Sequence, residues 1–279
     1  MKLTHMLLLA VLSALLLSIP FFQWGPGLFL MVAFVPLLFV EDEIAKRKAG
    51  KAAKAGSSAK AAKSGRASKA ERKKNRSGSM IWYVLLTFAV FVLMTTWWIY
   101  WATPIGPLAS VIVNGGYMTL TFLVFHHTRR RLGDRLGYMS LVIFWLAFEF
   151  LYIRAQVNFP WILLGNGFAN DVILIQWYEW TGVLGGSLWV LVMNVLIFKL
   201  VKGWLAERSF VANRSRISWV LGILVIPMLF SIVRFLTYDE KEDPYEMVVL
   251  QPNIDPFEKF GTIPQAEQTA YLLHLADSL

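Results

Sequence analysis

Long apolar runs alternate with short polar segments along most of the chain, and the pattern changes near its end. The hydrocarbon core of a bilayer, about 30 Å thick, takes roughly 20 apolar residues to cross as an α-helix. Seven stretches fit: Leu3–Ile19, Phe21–Val40 (at least in its second part), Met80–Ala102, Pro107–Phe125, Leu136–Ile153, Val172–Val201 and Ile217–Leu236. Backbone groups in lipid must be bonded within the chain, so these runs predict helices rather than buried strands. The first, MKLTHMLLLAVLSALLLSIP, has the apolar core of a signal peptide. No small-x-small cleavage site follows it, and a second apolar run begins at once, so it reads as a retained span ended by Pro20.

After Leu236 the pattern shifts. An acidic linker, YDEKEDPYE, leads into MVVLQPNI, a β-branched run with the look of a strand. Residues Ile263–Leu279 place Ala270, Leu273 and Ala276–Asp277 at helical spacing. A strand, a turn and a helix begin an α/β unit. A segment of about 35 residues cannot bury a stable core unaided, so the start of a longer domain is expected here. The expected fold is an α-helical polytopic membrane protein of about seven transmembrane helices (1–236). A linker (237–246) and the truncated start of an extracytoplasmic α/β domain (247–279) follow.

Composition agrees with a membrane class: 57% of residues are hydrophobic and mean hydropathy is +0.53. The net charge of +9 would suit a nucleic-acid binder, but its location argues otherwise. Lys and Arg number 13 in Glu41–Ser79, four in His126–Arg135 and five in Lys199–Arg216, with Lys2 before them. Only Arg154, Arg234, Lys241 and Lys259 lie elsewhere. The positive-inside rule then puts the N-terminus and the three basic loops in the cytoplasm, and everything after Leu236 outside. The lysine- and alanine-rich stretch 41–79 has no aromatic residue on which bases would stack, so it reads as a disordered, topology-fixing loop. Arg129, Arg130 and Arg131 read as anchors near the headgroups. The sequence has no cysteine, and its four histidines show no metal-ligand spacing. No metal, cofactor or nucleic acid is expected.

Few ionisable residues fall within the spans, and each is costly enough to need a reason. Glu149 is read either as bonding Tyr152 or Arg154 or as orienting a headgroup or outer loop. Glu179 sits beside Trp177, Tyr178 and Trp180, an interfacial belt. The outer loop QVNFPWILLGNGFAND carries Phe159-Pro160-Trp161, a rigid turn with aromatic side chains at membrane level. Leu164-Gly165-Asn166-Gly167 then turns the backbone sharply. Such a segment suits a lipid-facing portal or a re-entrant loop of a transporter.

Several segments together resemble bacterial apolipoprotein N-acyltransferases. The run Gln176–Val190, QWYEWTGVLGGSLWV, followed by Asn194, resembles the family's sixth-span signature through Gln176, Gly182, Gly185, Ser187 and Asn194. Trp145, Glu149 and the Phe159-Pro160-Trp161 turn are similar to its fifth span and following loop. Val249-Leu250-Gln251-Pro252-Asn253 resembles the first strand of its nitrilase-like domain, in which Gln251 and Asn253 would fix the strand and its turn. One position departs: Tyr152 stands where the family often has Arg.

The resemblance implies N-acylation of the N-terminal diacylglyceryl-cysteine of bacterial apolipoproteins, at the cytoplasmic (inner) membrane. A phospholipid is the acyl donor and a cysteine thioester the intermediate, with a carboxylate base and an oxyanion-stabilising lysine. The family's Glu, Lys and Cys would lie beyond Leu279; Glu258 and Lys259 follow the first strand too closely to match them. This chain alone is therefore expected to be inactive. The resemblance assigns Phe159, Pro160 and Trp161 to the lipid portal, with Glu149 and Glu179 as lesser candidates. Two other classes stay open: a transporter or flippase built on the broken outer loop, and a non-catalytic membrane anchor. No internal repeat of the spans is evident, which weakens the transporter.

Overall fold

In the computed structural model, residues 1–58, 80–156, 158–239, 245 and 247–278 are described. Among them, five helical segments are long and apolar enough to cross a membrane: Leu3–Phe21, Met80–Trp101, Gly106–Arg154, Tyr178–Glu207 and Phe210–Thr237. No strand occurs among the described residues.

Helix α1 (Leu3–Ser18) is apolar throughout and tightens into a 3₁₀ turn at Pro20. The second apolar run is not one helix. It opens with a 3₁₀ turn at Gly27–Phe29, continues as α2 (Leu30–Ala33), and breaks before α3 (Val35–Ser58). Pro36 explains the break, because it has no N–H and its ring crowds the carbonyl one turn back. Helix α3 runs on to Ser58, so the first part of the basic stretch 41–79 is helical rather than a disordered loop; 59–79 lie outside the described residues.

Helix α4 (Met80–Thr96) packs along α1 and ends in the 3₁₀ turn Trp97–Trp101. A short α5 (Gly106–Ser110) passes through a π turn, Val111–Gly115, into α6 (Gly116–Arg154). Thirty-nine residues would make a straight rod of about 58 Å, twice the bilayer core. Instead α6 folds back at Gly133, where φ is +81°, a conformation that suits a residue without Cβ. The rings of Phe125 and Tyr138 then lie 6.1 Å apart near the turn, and those of Tyr117 and Tyr152 5.9 Å apart at the far end. The fourth and fifth apolar runs are thus two arms of a hairpin.

Helix α7 (Tyr178–Glu207) lies against α2, the hairpin and α8 (Phe210–Thr237), and Trp189 Nε1 donates to the Ile223 carbonyl at 2.6 Å. The sixth run, expected from Val172, begins as a separate 3₁₀ turn, Val172–Leu174, and the seventh starts earlier than expected, at Phe210. Between the helices lies an aromatic core in which Trp145 sits 5.0 Å from Phe34 and 5.5 Å from Phe88, ring to ring.

The expected strand at Met247–Leu250 is not formed: 247–255 have no regular structure. A lone strand has no ladder to join, and its backbone stays with water. Short α9 (Pro256–Gly261) and α10 (Gln265–Asp277) follow, with apolar side chains left exposed, Phe260 at 85%.

Candidate functional site

The loop between α6 and α7 is folded into the bundle as three 3₁₀ turns and is tied down from below by buried polar side chains. Glu149, 1% exposed, accepts through Oε1 from the Leu164 amide at 2.9 Å and from Trp145 Nε1 at 3.1 Å. Its Oε2 has no hydrogen-bond partner among the described residues. Glu149 thus ties helix α6 to the loop that follows it; neither Tyr152 nor Arg154 is its partner. The Tyr152 hydroxyl donates to Asn114 Oδ1 in the π turn, and the Arg154 guanidinium stacks 3.9 Å from the Phe150 ring.

Ser187 Oγ accepts from the Gly165 amide at 2.9 Å, and the Tyr178 hydroxyl donates to the Gly165 carbonyl at 3.0 Å. A Cβ on Gly165 would lie 2.0 Å from the Val183 carbonyl oxygen, so the loop seats this closely only with glycine there. Within α7, Gly182 adopts φ +62° and offsets the first turn from the rest, and Gly185 lies under Thr181 and Trp177. Asn166 Nδ2 donates to the Pro160 carbonyl at 2.7 Å and closes the turn.

Phe159 leans on the core with its ring 6.3 Å from Trp98, while Trp161 is 67% exposed. Trp98 belongs to the 3₁₀ turn Trp97–Trp101, whose Trp97, Tyr100 and Trp101, with Leu93, Pro107 and Leu108, line an open apolar groove of about 720 Å³. The loop also reaches the start of the second run: Asp171 Oδ2 accepts from the Gly27 amide at 2.5 Å, and Asn170 Nδ2 donates to the Phe22 carbonyl at 3.1 Å.

The remaining sequence candidates lie apart from this group. Glu179 is exposed and pairs with Arg234 of α8 at 3.4 Å. Gln176 bonds the Val172 carbonyl at 2.8 Å, within its own turn. Asn194 works deeper, at the break between α2 and α3, where Oδ1 accepts from the Phe34 amide at 2.7 Å and Nδ2 donates to the Leu30 carbonyl at 2.6 Å. Gln251 is exposed, and Asn253 sits at φ +52°, a left-handed conformation that asparagine tolerates.

The opposite end of the bundle holds a charge network that the sequence pattern did not disclose. Arg129, read as a headgroup anchor, is buried and donates to Glu41, to Asp42 at 2.7 Å and to Asp134 at 3.0 Å. Glu41 also meets His126 Nδ1 at 2.7 Å, and Lys202 donates to Asp42 at 2.8 Å. Burial alone would raise the Asp42 carboxyl, but the bonds from Lys202, Lys46 and Arg129 outweigh it and hold the pKa at about 2. The available signal was the pair Glu41-Asp42 directly following an apolar run.

If Glu149 acts as an acceptor and not as a charge, Glu149→Gln keeps both Oε1 bonds and the melting midpoint in detergent stays within about 2 °C. Glu149→Leu orphans two buried N–H groups and should cost about 2 to 3 kcal/mol, or a midpoint lower by roughly 5 to 10 °C. A glutamine variant as unstable as the leucine one would show that the charge itself holds the loop.

Apolar helices of spanning length, one aromatic end and one charged end fit a multi-pass helical membrane protein, with the loop between α6 and α7 pinned into its core. Residues 66–196 match the family described as the apolipoprotein N-acyltransferase N-terminal domain. It is 27% identical over 192 residues to the apolipoprotein N-acyltransferase of Chlorobaculum tepidum, covering 68% of this chain and 36% of that protein. It is 26% identical over 266 residues to that of Geobacter metallireducens, covering 94% of this chain and 46% of that protein. The chain thus spans less than half the length of these curated relatives. No solved structure matches it.

Proposed function

We propose that this chain is the membrane part of an enzyme that N-acylates the N-terminal diacylglyceryl-cysteine of bacterial lipoproteins, with a membrane phospholipid as acyl donor. One observation carries the reading: the outer loop is held by Glu149 and Ser187, and its Phe159 ring meets Trp98, a member of the 3₁₀ turn Trp97–Trp101 whose other aromatic side chains line the groove. A fixed aromatic turn joined through Trp98 to an open apolar groove suits guiding an acyl chain toward chemistry outside the membrane. In this reading Phe159, Pro160 and Trp161 form the lipid portal. Glu149 and Ser187 position it, while Glu179, paired with Arg234, stands apart from it.

The chain crosses the inner membrane seven times, counting both arms of α6 and the broken α2–α3 segment as passes. The charged end faces the cytoplasm, as the positive-inside rule requires. Residues 247–278 then begin an extracytoplasmic nitrilase-like domain, and the nucleophilic cysteine, its carboxylate base and the lysine belong to chain beyond Leu279.

The transporter alternative needs the helix break to line a site. Here the freed groups at the break are taken up by Asn194 and Ser13, which speaks for the enzyme. The test uses full-length protein carrying this chain, a labelled phospholipid and a synthetic diacylglyceryl-cysteine peptide. Transfer to the peptide amine is expected, and Trp161→Ala should slow it about tenfold, a loss of about 1.4 kcal/mol in transition-state stabilisation, with the melting midpoint unchanged. Absence of transfer by folded full-length protein would overturn the reading.

A further inference from the structure

At the charged end, between the turn of α6 and the adjoining ends of α7 and α8, lies a pocket of about 440 Å³. Its rim carries Arg135, Lys199, Lys202 and Arg216, against the carboxylates of Asp134 and Glu207. Those carboxylates are already engaged, Asp134 with Arg129 at 2.9 Å and Glu207 with Arg216 at 3.7 Å. Lys202 is held by Asp42 at 2.8 Å. Arg135 and Lys199 have no ion-pair partner among the described residues, so the pocket keeps an excess of positive charge.

The floor is apolar and closed. Phe198 is fully buried, and Tyr138 is 2% exposed, with the Lys199 ammonium 5.4 Å from its ring. The Tyr138 hydroxyl has no hydrogen-bond partner among the described residues. A buried hydroxyl left unbonded is costly, and an acceptor oxygen in the pocket would relieve it. Trp204 and Leu205, in the same stretch of α7, are exposed and offer apolar surface beside the rim.

We propose that this pocket binds the phosphate of an anionic phospholipid headgroup, at the end of the bundle opposite the Phe159–Trp161 loop. Unpaired cations over an aromatic floor, between membrane helices and next to exposed apolar side chains, match a phosphate carrying acyl chains. The assignment is independent of the acyltransferase reading, since it uses neither the outer loop nor any acyl transfer.

Native mass spectrometry of the purified chain in detergent, titrated with phosphatidylglycerol or with phosphatidylcholine of the same acyl chains, provides the test. Phosphatidylglycerol should bind about tenfold more tightly. The double variant Arg135→Gln/Lys199→Gln should bring the two lipids within about threefold of each other, and Tyr138→Phe should weaken phosphatidylglycerol about threefold. Arg135 and Lys199 are exposed and unpaired, so the double variant keeps the lipid-free melting midpoint within about 2 °C. Arg130→Gln/Arg131→Gln removes the same charge outside the pocket and should change binding less than about twofold. Equal affinity for the two lipids would overturn the proposal, as would an equal loss in the Arg130/Arg131 control. Full displacement by millimolar inorganic phosphate would assign the pocket to the free ion and overturn the lipid headgroup.

Discussion

Arg129→Met is expected to destabilise the protein by about 3 to 5 kcal/mol, because it strips the guanidinium from the fully buried Glu41 and removes one of the three cations that hold Asp42. Glu41 is fully buried and Asp42 nearly so, and the Arg129 guanidinium binds both while a third nitrogen reaches Asp134. The remaining cations cannot replace it. Lys202 and Lys46 serve Asp42, and His126 offers Glu41 one ring nitrogen. A thermal or denaturant titration in detergent, followed by tryptophan fluorescence, would measure the loss. Neutralising the stranded partner should recover part of it, so Glu41→Gln in the Arg129→Met background is expected to regain about 1 to 2 kcal/mol, a coupling read from the double-mutant cycle. A single-variant loss under about 1 kcal/mol would mean that water reaches the network and that Arg129 is the surface anchor its sequence context suggested.

That misreading shows which features local sequence carries in a membrane protein. Spanning runs were legible because lipid leaves the backbone no choice, and a run such as Met80–Ala102 fulfils the demand by itself. Glu149 was recognisable as costly, yet its partners were sought at Tyr152 and Arg154, one turn along the same helix. The actual acceptor bond goes to the Leu164 amide, fifteen residues on, after the chain has turned. Arg129 pairs with Glu41 across 88 residues, a distance over which no periodicity reports. Ser187 and Asn194 stood out as parts of a motif, while their tasks became visible only once α7 lay against the loop and against α2. The run Met247–Leu250 shows the converse: β propensity describes a surface that fits a sheet, and without neighbouring strands it yields no strand.

Asn194→Leu is the substitution expected to undo the broken second segment. Pro36 prevents a continuous helix there, so backbone groups of α2 and α3 lack regular helical partners, and the Phe34 amide finds within the segment only the Val32 carbonyl two residues back. Asn194 binds the Phe34 amide and the Leu30 carbonyl, and Ser13 takes the complementary pair, donating to the Ala33 carbonyl at 2.7 Å and accepting from the Leu37 amide at 3.0 Å. All four side-chain bonds are buried, where each orphaned group costs about 1 to 3 kcal/mol. Leucine at position 194 keeps the branched four-atom skeleton, with bulkier methyl ends, and removes both bonds to the break, for an expected loss of about 3 kcal/mol. Because the damage is local, hydrogen exchange separates it from general loosening of the bundle. The Phe34 amide should lose about 100-fold in protection, the equivalent of that energy, while amides in the middle of α4 change less than about tenfold. Unchanged protection at Phe34 would mean that another group satisfies the break and that Asn194 fills space alone.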